Sequence, residues 1–327
     1  MQSSVGRRVI GALISVAATI ATLEAAIRVF PLMEDNVPLP YRALAGEEGF
    51  GPVPNESARS LYGVRYRTNS QGLRGAEQTP ARIPGRARVA VLGDSVVFGL
   101  GIPEEATLPV QLEQLADKVG VGLEAWNLGV PANNTYNEKA RYARLASLIR
   151  PDVTIVVVLF NDLEPGPAPL RVTSARTLSN VTRRAPYPDA WRPLLEQSAL
   201  FHALIRIYAA LRREDQALSL ADLPGVLTQL EQIRATAQGV GSTLIVAAMP
   251  GRWPDPARFA GLAEGLKRFC VERELPFVDL SSVLGNPVRS DYFLPSDSTH
   301  PTAEGSRLIA EALLPRVTAA LRRRPDG

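Results

Sequence analysis

The sequence has a single cysteine, Cys270, and only two histidines, His202 and His300. One cysteine excludes an internal disulfide, and so few cysteines and histidines exclude most zinc frameworks. Aromatic residues make up 6% of the 327 residues, and 36 Lys and Arg against 33 Asp and Glu leave a net charge of +3. That small excess does not fit a dedicated nucleic-acid-binding protein, so no nucleic-acid partner is predicted. With 46% hydrophobic residues, the chain is typical of a globular protein with a sizeable core.

Three common ligand and nucleophile motifs are also missing. No GxxxxGK[ST] phosphate-binding loop occurs, and the glycine-rich stretch from Gly99 has Glu104 where a dinucleotide fingerprint needs its third glycine. Ser95 does not lie in a GxSxG nucleophile elbow, because Val97 replaces the second glycine. The usual signatures of phosphoryl transfer and hydride transfer are therefore absent from the sequence.

The first thirty residues are typical of a membrane-targeting segment. Arg7 and Arg8 precede an uncharged stretch from 9 to 23, and the apolar character extends to Phe30. About twenty apolar residues span a bilayer as a helix, so residues 9–30 are predicted to form an uncleaved signal anchor. The positive-inside rule then places both arginines in the cytoplasm and the rest of the chain across a bacterial inner membrane. Two alternatives stay open: a signal peptide cleaved near Ala17, which yields a secreted protein, and a helix docked on the domain.

The rest of the chain divides into a lead-in and an α/β domain. Residues 31–86 are rich in proline, glycine and arginine, which predicts a linker and an irregular lead-in. Apolar β-branched runs occur at 89–92, 125–128, 153–160, 244–249 and 277–280. Segments of helical period occur at 108–119, 136–149, 223–238, 256–274 and 302–321. This alternation predicts a three-layer α/β/α domain over 87–327, with a doubly wound, mainly parallel five-stranded sheet.

One segment breaks the alternation after the third predicted strand. Residues 163–222 begin with a proline-rich stretch and continue into an amphipathic helix around 194–213. Ligands bind beyond the carboxyl ends of strands in open parallel sheets. The segment is therefore interpreted as an insertion that walls or covers the active site.

Two groups with catalytic potential follow the first predicted strand and precede the last predicted helix. Ser95 comes at a tight strand-to-helix turn, where helix N–H groups favour developing negative charge. Asp297 lies three residues before His300, so its carboxylate can orient one ring nitrogen while the other takes a proton from a serine. Each feature alone also has a structural explanation, because Ser95 and Asp297 both fit helix N-caps.

Read together with two intermediate elements, these residues resemble the SGNH/GDSL hydrolase family. The family's four motif blocks are matched in order by Gly93-Asp94-Ser95, Gly129, Asn161-Asp162 and Asp297-x-x-His300-Pro301. The resemblance covers residues 87–327, and residues 69–75 are also similar to a lead-in of membrane-anchored bacterial members.

The resemblance implies a role for each matched residue. Ser95 is expected to be the nucleophile, His300 the general base and acid, and Asp297 the orienting carboxylate. The Ser95 and Gly129 backbone N–H groups and the Asn161 side-chain amide are expected to form the oxyanion hole. The expected activity is that of a serine esterase, with no cofactor or metal, acting on an O-acyl ester of an envelope carbohydrate or lipid. Two rival functions stay open, O-acyl transfer to an envelope glycan and a non-catalytic envelope binding or assembly role, and the oligomeric state is not predicted.

Other residues receive mainly structural predictions. Leu159-Phe160, before Asn161, and Pro131, after Gly129, depart from the family's usual glycine-containing blocks, and the proline predicts a stiffer loop. Cys270 is expected in the core and His202 in packing or at the surface. Arg74 is interpreted as closing a loop onto the core in preference to contacting a polar substrate.

Overall fold

The structure is a computed structural model that describes residues 2–29, 41–59, 64–168, 198, 200, 204, 219–251, 256–285, 289–294 and 299–323. The chain forms two compact units. One consists of Met1–Asn36 with Arg171–Gln216, and the other of Val37–Leu170 with Ala217–Gly327. His202 and most of the helix expected around 194–213 lie outside the described residues.

The first unit contains one long apolar helix, α1 (Gln2–Val29). Its stretch Gly6–Ala26 has a mean hydropathy of 1.9 and is not buried by the rest of the protein. By length and composition this stretch fits a membrane span, and a signal sequence has the same properties. The Glu24 carboxylate accepts hydrogen bonds from Ser198 Oγ at 2.8 Å and from Leu200 N at 2.9 Å.

The lead-in of the second unit is more regular than its composition indicates. Four strands, β1 (Tyr41–Ala43), β2 (Phe50–Pro52), β3 (Ser57–Arg59) and β4 (Arg65–Arg67), form two antiparallel pairs. Each strand has three residues, too few for an alternating pattern to be visible in the sequence. The prediction of an irregular lead-in was therefore wrong for this part of the chain.

A five-stranded parallel sheet forms the centre of the second unit. Its strands are β5 (Ala87–Leu92), β6 (Leu123–Asn127), β7 (Val153–Val158), β8 (Thr243–Ala248) and β9 (Phe277–Asp279). The strand order is β6-β5-β7-β8-β9, and all neighbours are parallel. The chain leaves β5 toward β6 on one side and returns to β7 on the other. This reversal brings the loops after β5, β6 and β7 to one edge of the sheet, where ligands bind in such folds.

Helices cover both faces of the sheet. They are α2 (Ser95–Phe98), α3 (Leu108–Lys118), α4 (Thr135–Ile149), α5 (Leu223–Gly239), α6 (Pro256–Glu272), α7 (Ser281–Leu284) and α8 (Ala303–Arg322). One buried core contains residues of α4, α5 and α6, and a second core on the other face contains residues of α3 and α8. The predicted three-layer α/β/α fold is confirmed.

Two local features refine the sequence predictions. The third strand ends at Val158, because the chain turns at once into a single 3-10 turn, Phe160–Leu163. Cys270 is fully buried in the core with α4, α5 and α6. Burial raises the pKa of its thiol to about 12, so the side chain behaves as a small core hydrophobe.

Candidate active site

Ser95 is the first residue of α2, directly after the turn that follows β5. The turn is held by Asp94, whose carboxylate caps α2 by accepting a hydrogen bond from Val96 N at 2.9 Å. N-capping carboxylates of this kind typically stabilise a helix end by about 1 kcal/mol. Asp94 therefore holds the turn, and Ser95 is presented at the carboxyl edge of the sheet.

His300 reaches the same point from the other end of the chain. Its Nε2 lies 2.9 Å from Ser95 Oγ. One neighbouring segment holds the backbone at this histidine, since Leu294 N donates a hydrogen bond to His300 O at 2.9 Å and Phe293 pairs with Pro301. A serine hydroxyl at this distance from an imidazole is the arrangement that activates a serine nucleophile.

The predicted role of Asp297 as the carboxylate that orients His300 has no structural description. Asp297 lies outside the described residues. The N-cap of α8 is Thr302, whose hydroxyl oxygen accepts a hydrogen bond from Gly305 N at 3.2 Å. The structural alternative that assigned the cap of this helix to Asp297 was therefore wrong.

Gly129 packs against the backbone of the nucleophile turn. A Cβ at this position would lie 2.2 Å from Phe98 N and 2.7 Å from the carbonyl carbon of Val97. No side chain fits there, because the atoms that it would meet are backbone atoms that cannot turn away. The Gly129 N–H donates to Asn127 Oδ1 at 3.0 Å. The loop after β6 thus touches α2, and the predicted oxyanion donor already has a protein acceptor.

Asn161 lies beside Asp94 at the end of β7. Its Nδ2 donates to Asp94 Oδ2 and to the carbonyl of Asn133, both at 3.0 Å. An amide nitrogen carries two hydrogens, so both are engaged. The predicted residues Ser95, His300 and Asn161 therefore lie at one edge of the sheet, and both amide hydrogens of Asn161 already have protein acceptors.

Three carboxyl groups, those of Asp94, Glu138 and Asp162, are buried close to this edge of the sheet. The sequence did not predict that they form a cluster. Asp162 accepts hydrogen bonds from Thr135 N at 2.6 Å and Leu159 N at 2.7 Å, and burial raises its pKa to about 8. Burial, together with the charges of Asp162 and Asp94, raises the pKa of Glu138 well above its usual range. Neither Glu138 carboxyl oxygen has a hydrogen-bond partner among the described residues. Glu138 lies outside the family's motif blocks. Its place in the first turn of α4 was the one sequence signal that could have identified it.

By residue type, Arg74 and the acidic residues are also candidate ligand-binding groups at this edge. Arg74 is buried and donates to the carbonyl oxygens of Phe98, Gly99 and Ile102, so it closes a loop as predicted. Within the described part of the chain, no three His, Cys, Asp or Glu side chains are grouped so that they could hold a metal ion. The described chemistry of the edge is therefore that of a hydroxyl, an imidazole and amide donors.

One protein-family model matches more than half of the chain. The sequence model of the GDSL-like lipase/acylhydrolase family matches residues 91–308, a range that includes Ser95, Gly129, Asn161 and His300. No curated protein matches the sequence.

Several solved structures are similar to the chain. A lipase/acylhydrolase from Enterococcus faecalis is 15% identical, with 74% of this chain and 99% of that chain covered and a TM-score of 0.46. An acetylxylan esterase from Geobacillus stearothermophilus, solved as a catalytic mutant, is 14% identical, with coverages of 71% and 94% and a TM-score of 0.47. A family 3 carbohydrate esterase from Clostridium thermocellum is 14% identical, with coverages of 72% and 98% and a TM-score of 0.46.

Proposed function

The chain belongs to the GDSL-like lipase/acylhydrolase family, and from that premise we propose that it is a serine esterase that hydrolyses an O-acyl ester. The observation that carries the proposal is the 2.9 Å contact between Ser95 Oγ and His300 Nε2. Two residues separated by 205 positions in the sequence meet at the sheet edge where ligands bind. A purely structural explanation of either residue does not require this meeting.

In the proposed reaction, Ser95 Oγ attacks the acyl carbon while His300 Nε2 takes the hydroxyl proton. The tetrahedral intermediate then collapses, the ester C–O bond breaks, and His300 returns the proton to the leaving alcohol oxygen. Water then attacks the acyl carbon of the acyl-enzyme while His300 Nε2 takes one of its protons. The bond between the acyl carbon and Ser95 Oγ breaks, His300 returns the proton to Oγ, and the free acid leaves. Asp297 is assigned the role of orienting His300 on the strength of its spacing in the sequence.

The oxyanion is proposed to bind the backbone N–H groups of Ser95 and Gly129 and the amide of Asn161. Asn127 Oδ1 and Asp94 Oδ2 now accept hydrogen bonds from Gly129 and Asn161, so these donors are already oriented. Oriented donors stabilise a developing charge without reorganisation, and each typically contributes about a hundredfold to kcat. Binding of the oxyanion replaces those acceptors or adds a second acceptor to the same hydrogen.

The proposed setting is the cell envelope. The apolar stretch Gly6–Ala26 supports a single-pass anchor, and Arg7 lies at its amino end, where the positive-inside rule predicts a cytoplasmic flank. The catalytic unit then lies on the far side of the membrane. An acylated envelope carbohydrate or lipid is the substrate class that this address favours.

The proposal is tested with the full chain in detergent micelles and a series of p-nitrophenyl esters from acetyl to long acyl chains. We expect release of free acid by the parent chain and loss of turnover in S95A, with unchanged thermal unfolding. Equal hydrolysis by the parent and S95A contradicts the proposal. Turnover that appears only when a glycan acceptor is added contradicts hydrolysis and indicates acyl transfer by the same residues.

A further inference from the structure

The nucleophile is carried by an unusually small element. The helix α2 has four residues, Ser95–Phe98, and a single helical turn is not stable without support from other parts of a protein. Within the turn, Ser95 O accepts hydrogen bonds from Gly99 N and Leu100 N, both at 3.0 Å. Val96 O accepts a hydrogen bond from Gly99 N at 3.1 Å, and Gly99 O accepts one from Ile102 N at 3.3 Å. The last carbonyls of a helix have no partner within the helix itself, so groups outside it must satisfy them. The position of Ser95 therefore depends on what holds the end of α2.

Arg74 binds that end. Its Nη1 donates to Phe98 O at 2.7 Å and also to Gly99 O, and its Nη2 donates to Ile102 O at 2.6 Å. All three acceptors are backbone carbonyls within seven positions of Ser95. A guanidinium at a helix C-terminus also interacts favourably with the negative end of the helix dipole.

Aromatic rings fix the guanidinium in place. The Arg74 Cζ lies 4.4 Å from the ring centre of Tyr66 and 5.0 Å from that of Phe98. The Tyr66 hydroxyl in turn accepts a hydrogen bond from Gly101 N at 2.7 Å. Arg74 is 4% exposed, so it is removed from solvent and has little freedom to move. Burial lowers its pKa to about 10, which leaves the side chain charged at neutral pH.

The same end of α2 contacts Gly129 in the loop after β6, so Arg74 and a proposed oxyanion donor bind the same short helix. A Cβ on Gly99 would lie 2.9 Å from Arg74 Nη1, and a Cβ on Gly129 would lie 2.2 Å from Phe98 N. Arg74 thus packs against the end of α2, and the end of α2 packs against Gly129, with no room for a Cβ at Gly99 or Gly129. A displacement of α2 changes the distance from Ser95 Oγ to His300 Nε2 and to the oxyanion donors together.

We propose that Arg74 is a positioning residue for the nucleophile, because its guanidinium fixes the carboxyl end of the one-turn helix that carries Ser95. This inference rests on the proposed esterase function. Only an arginine supplies a planar fork that reaches three carbonyls at once, whereas a lysine offers one ammonium group on a shorter stem. Misplacement of a reacting group by about 1 Å is enough to reduce kcat by about a hundredfold.

The molecule contains a matched control at the opposite edge of the sheet. Arg88 is fully buried and, like Arg74, donates to several backbone carbonyls, including those of Pro80 and Ile149. It lies at the beginning of β5, whereas Ser95 follows the end of that strand. R88K thus removes the same kind of fork at a place that does not touch the reacting groups.

The experiment compares R74K, R74M and R88K with the full-length parent in detergent. Thermal unfolding is measured first, and kcat and KM for p-nitrophenyl acetate are then measured well below each midpoint. The rate of reaction with a fluorophosphonate reports on the nucleophile alone. For R74K we expect kcat and the fluorophosphonate rate to fall about tenfold, for R74M about a hundredfold, with KM within about twofold of the parent. R88K is expected to lose stability while its kcat stays within about twofold.

The outcomes separate this inference from the proposed function. A parent chain that neither hydrolyses the ester nor reacts with the fluorophosphonate contradicts the esterase function itself. An active parent with parent-like kcat in R74K and R74M contradicts only the role of Arg74, as does an equal loss of kcat in R74K and R88K. If R74M does not fold, R74K decides alone, since it keeps the charge and most of the stem.

Discussion

The two edges of the central sheet differ in how completely their buried polar groups are satisfied. At the amino edge, all five N–H groups of Arg88 donate, to the carbonyl oxygens of Thr79, Pro80, Ala81 and Ile149 and to Glu124. At the carboxyl edge, buried atoms of Glu138, Asn133 and Asn161 have no hydrogen-bond partner among the described residues.

The buried polar groups of the amino edge stabilise the fold, whereas those of the carboxyl edge are available for chemistry. Partnered charges at the amino edge tie β5 to β6 and to the lead-in, and they use every guanidinium donor of Arg88. Unpartnered and exchangeable groups at the carboxyl edge reduce stability, but they are the groups that can change partners during a reaction. Buried groups of this kind concentrate at functional sites because the rest of the fold supports them.

The largest expected effect on kcat/KM comes from removing the imidazole of His300 at the carboxyl edge. H300A removes the proton acceptor 2.9 Å from Ser95 Oγ, and we expect kcat/KM to fall about ten-thousandfold. Unfolding by urea is expected to change little, because His300 is only half-buried. Ester hydrolysis by the full chain provides the first measurement and urea titration the second. A loss of less than about tenfold contradicts the role of His300 as general base.

A comparable change at the amino edge is expected to affect stability instead. Glu124→Leu leaves the guanidinium of Arg88 without its carboxylate, which lies 2.7 Å away in a pair that is almost fully buried. Removing one partner of a buried ion pair costs about 3 kcal/mol. We expect urea unfolding to show that loss, with kcat of the folded fraction within about twofold of the parent. A parent-like stability, or a large loss of kcat, contradicts the division between the two edges.

The buried Glu138 at the carboxyl edge is expected to make the free energy of unfolding depend on pH. Its folded-state pKa is raised by burial and by Asp162 and Asp94, so the unfolded chain loses this proton at a lower pH than the folded chain. Stability due to this group is therefore highest below the unfolded pKa and declines as pH rises toward the folded pKa, by at most about 1.4 kcal/mol per pH unit. In E138Q we expect a shallower decline of the unfolding free energy between pH 4 and pH 8.

Chemical unfolding across that pH range measures the slope. The exposed Glu264→Gln is the matched control for a glutamate-to-glutamine exchange outside the buried cluster. A slope in E138Q equal to that of the parent contradicts the raised pKa.

The smallest effect is expected in the loop after Gly129. Ala132 has a φ of 66°, a left-handed conformation that costs an L-residue about 1 kcal/mol. Ala132→Gly removes this strain but makes the unfolded chain more flexible, so we expect a net change in stability of about 0.5 kcal/mol or less. Urea unfolding measures it, and a loss above about 2 kcal/mol contradicts the account of strain at this position.

Much of the fold could be predicted from the sequence because its signals are local. The five parallel strands were predicted from short apolar β-branched runs and the five main helices from helical periodicity. Their predicted bounds differ from the structure by at most two residues at each end. The resemblance to the SGNH/GDSL family also led us to expect that Ser95 and His300 meet.

The remaining features depend on contacts between distant segments, which periodicity does not report. Nothing around Arg74 indicates that it binds the end of α2, and nothing around Glu138 indicates a buried carboxyl without partners. The acceptors already bound to Gly129 and Asn161 were unexpected for the same reason. The roles of Asp297 and of the 163–222 insertion stay predictions.

The central claim is that a covalent acyl group forms on Ser95 through the action of His300. The most direct measurement is mass spectrometry of the full chain, quenched with acid within milliseconds of mixing with p-nitrophenyl acetate and then digested. We expect the mass of one acetyl group on the peptide that contains Ser95 in the parent, and no such adduct in S95A. Hydrolysis by the parent through an adduct on another residue, with Ser95 unmodified, would contradict the account.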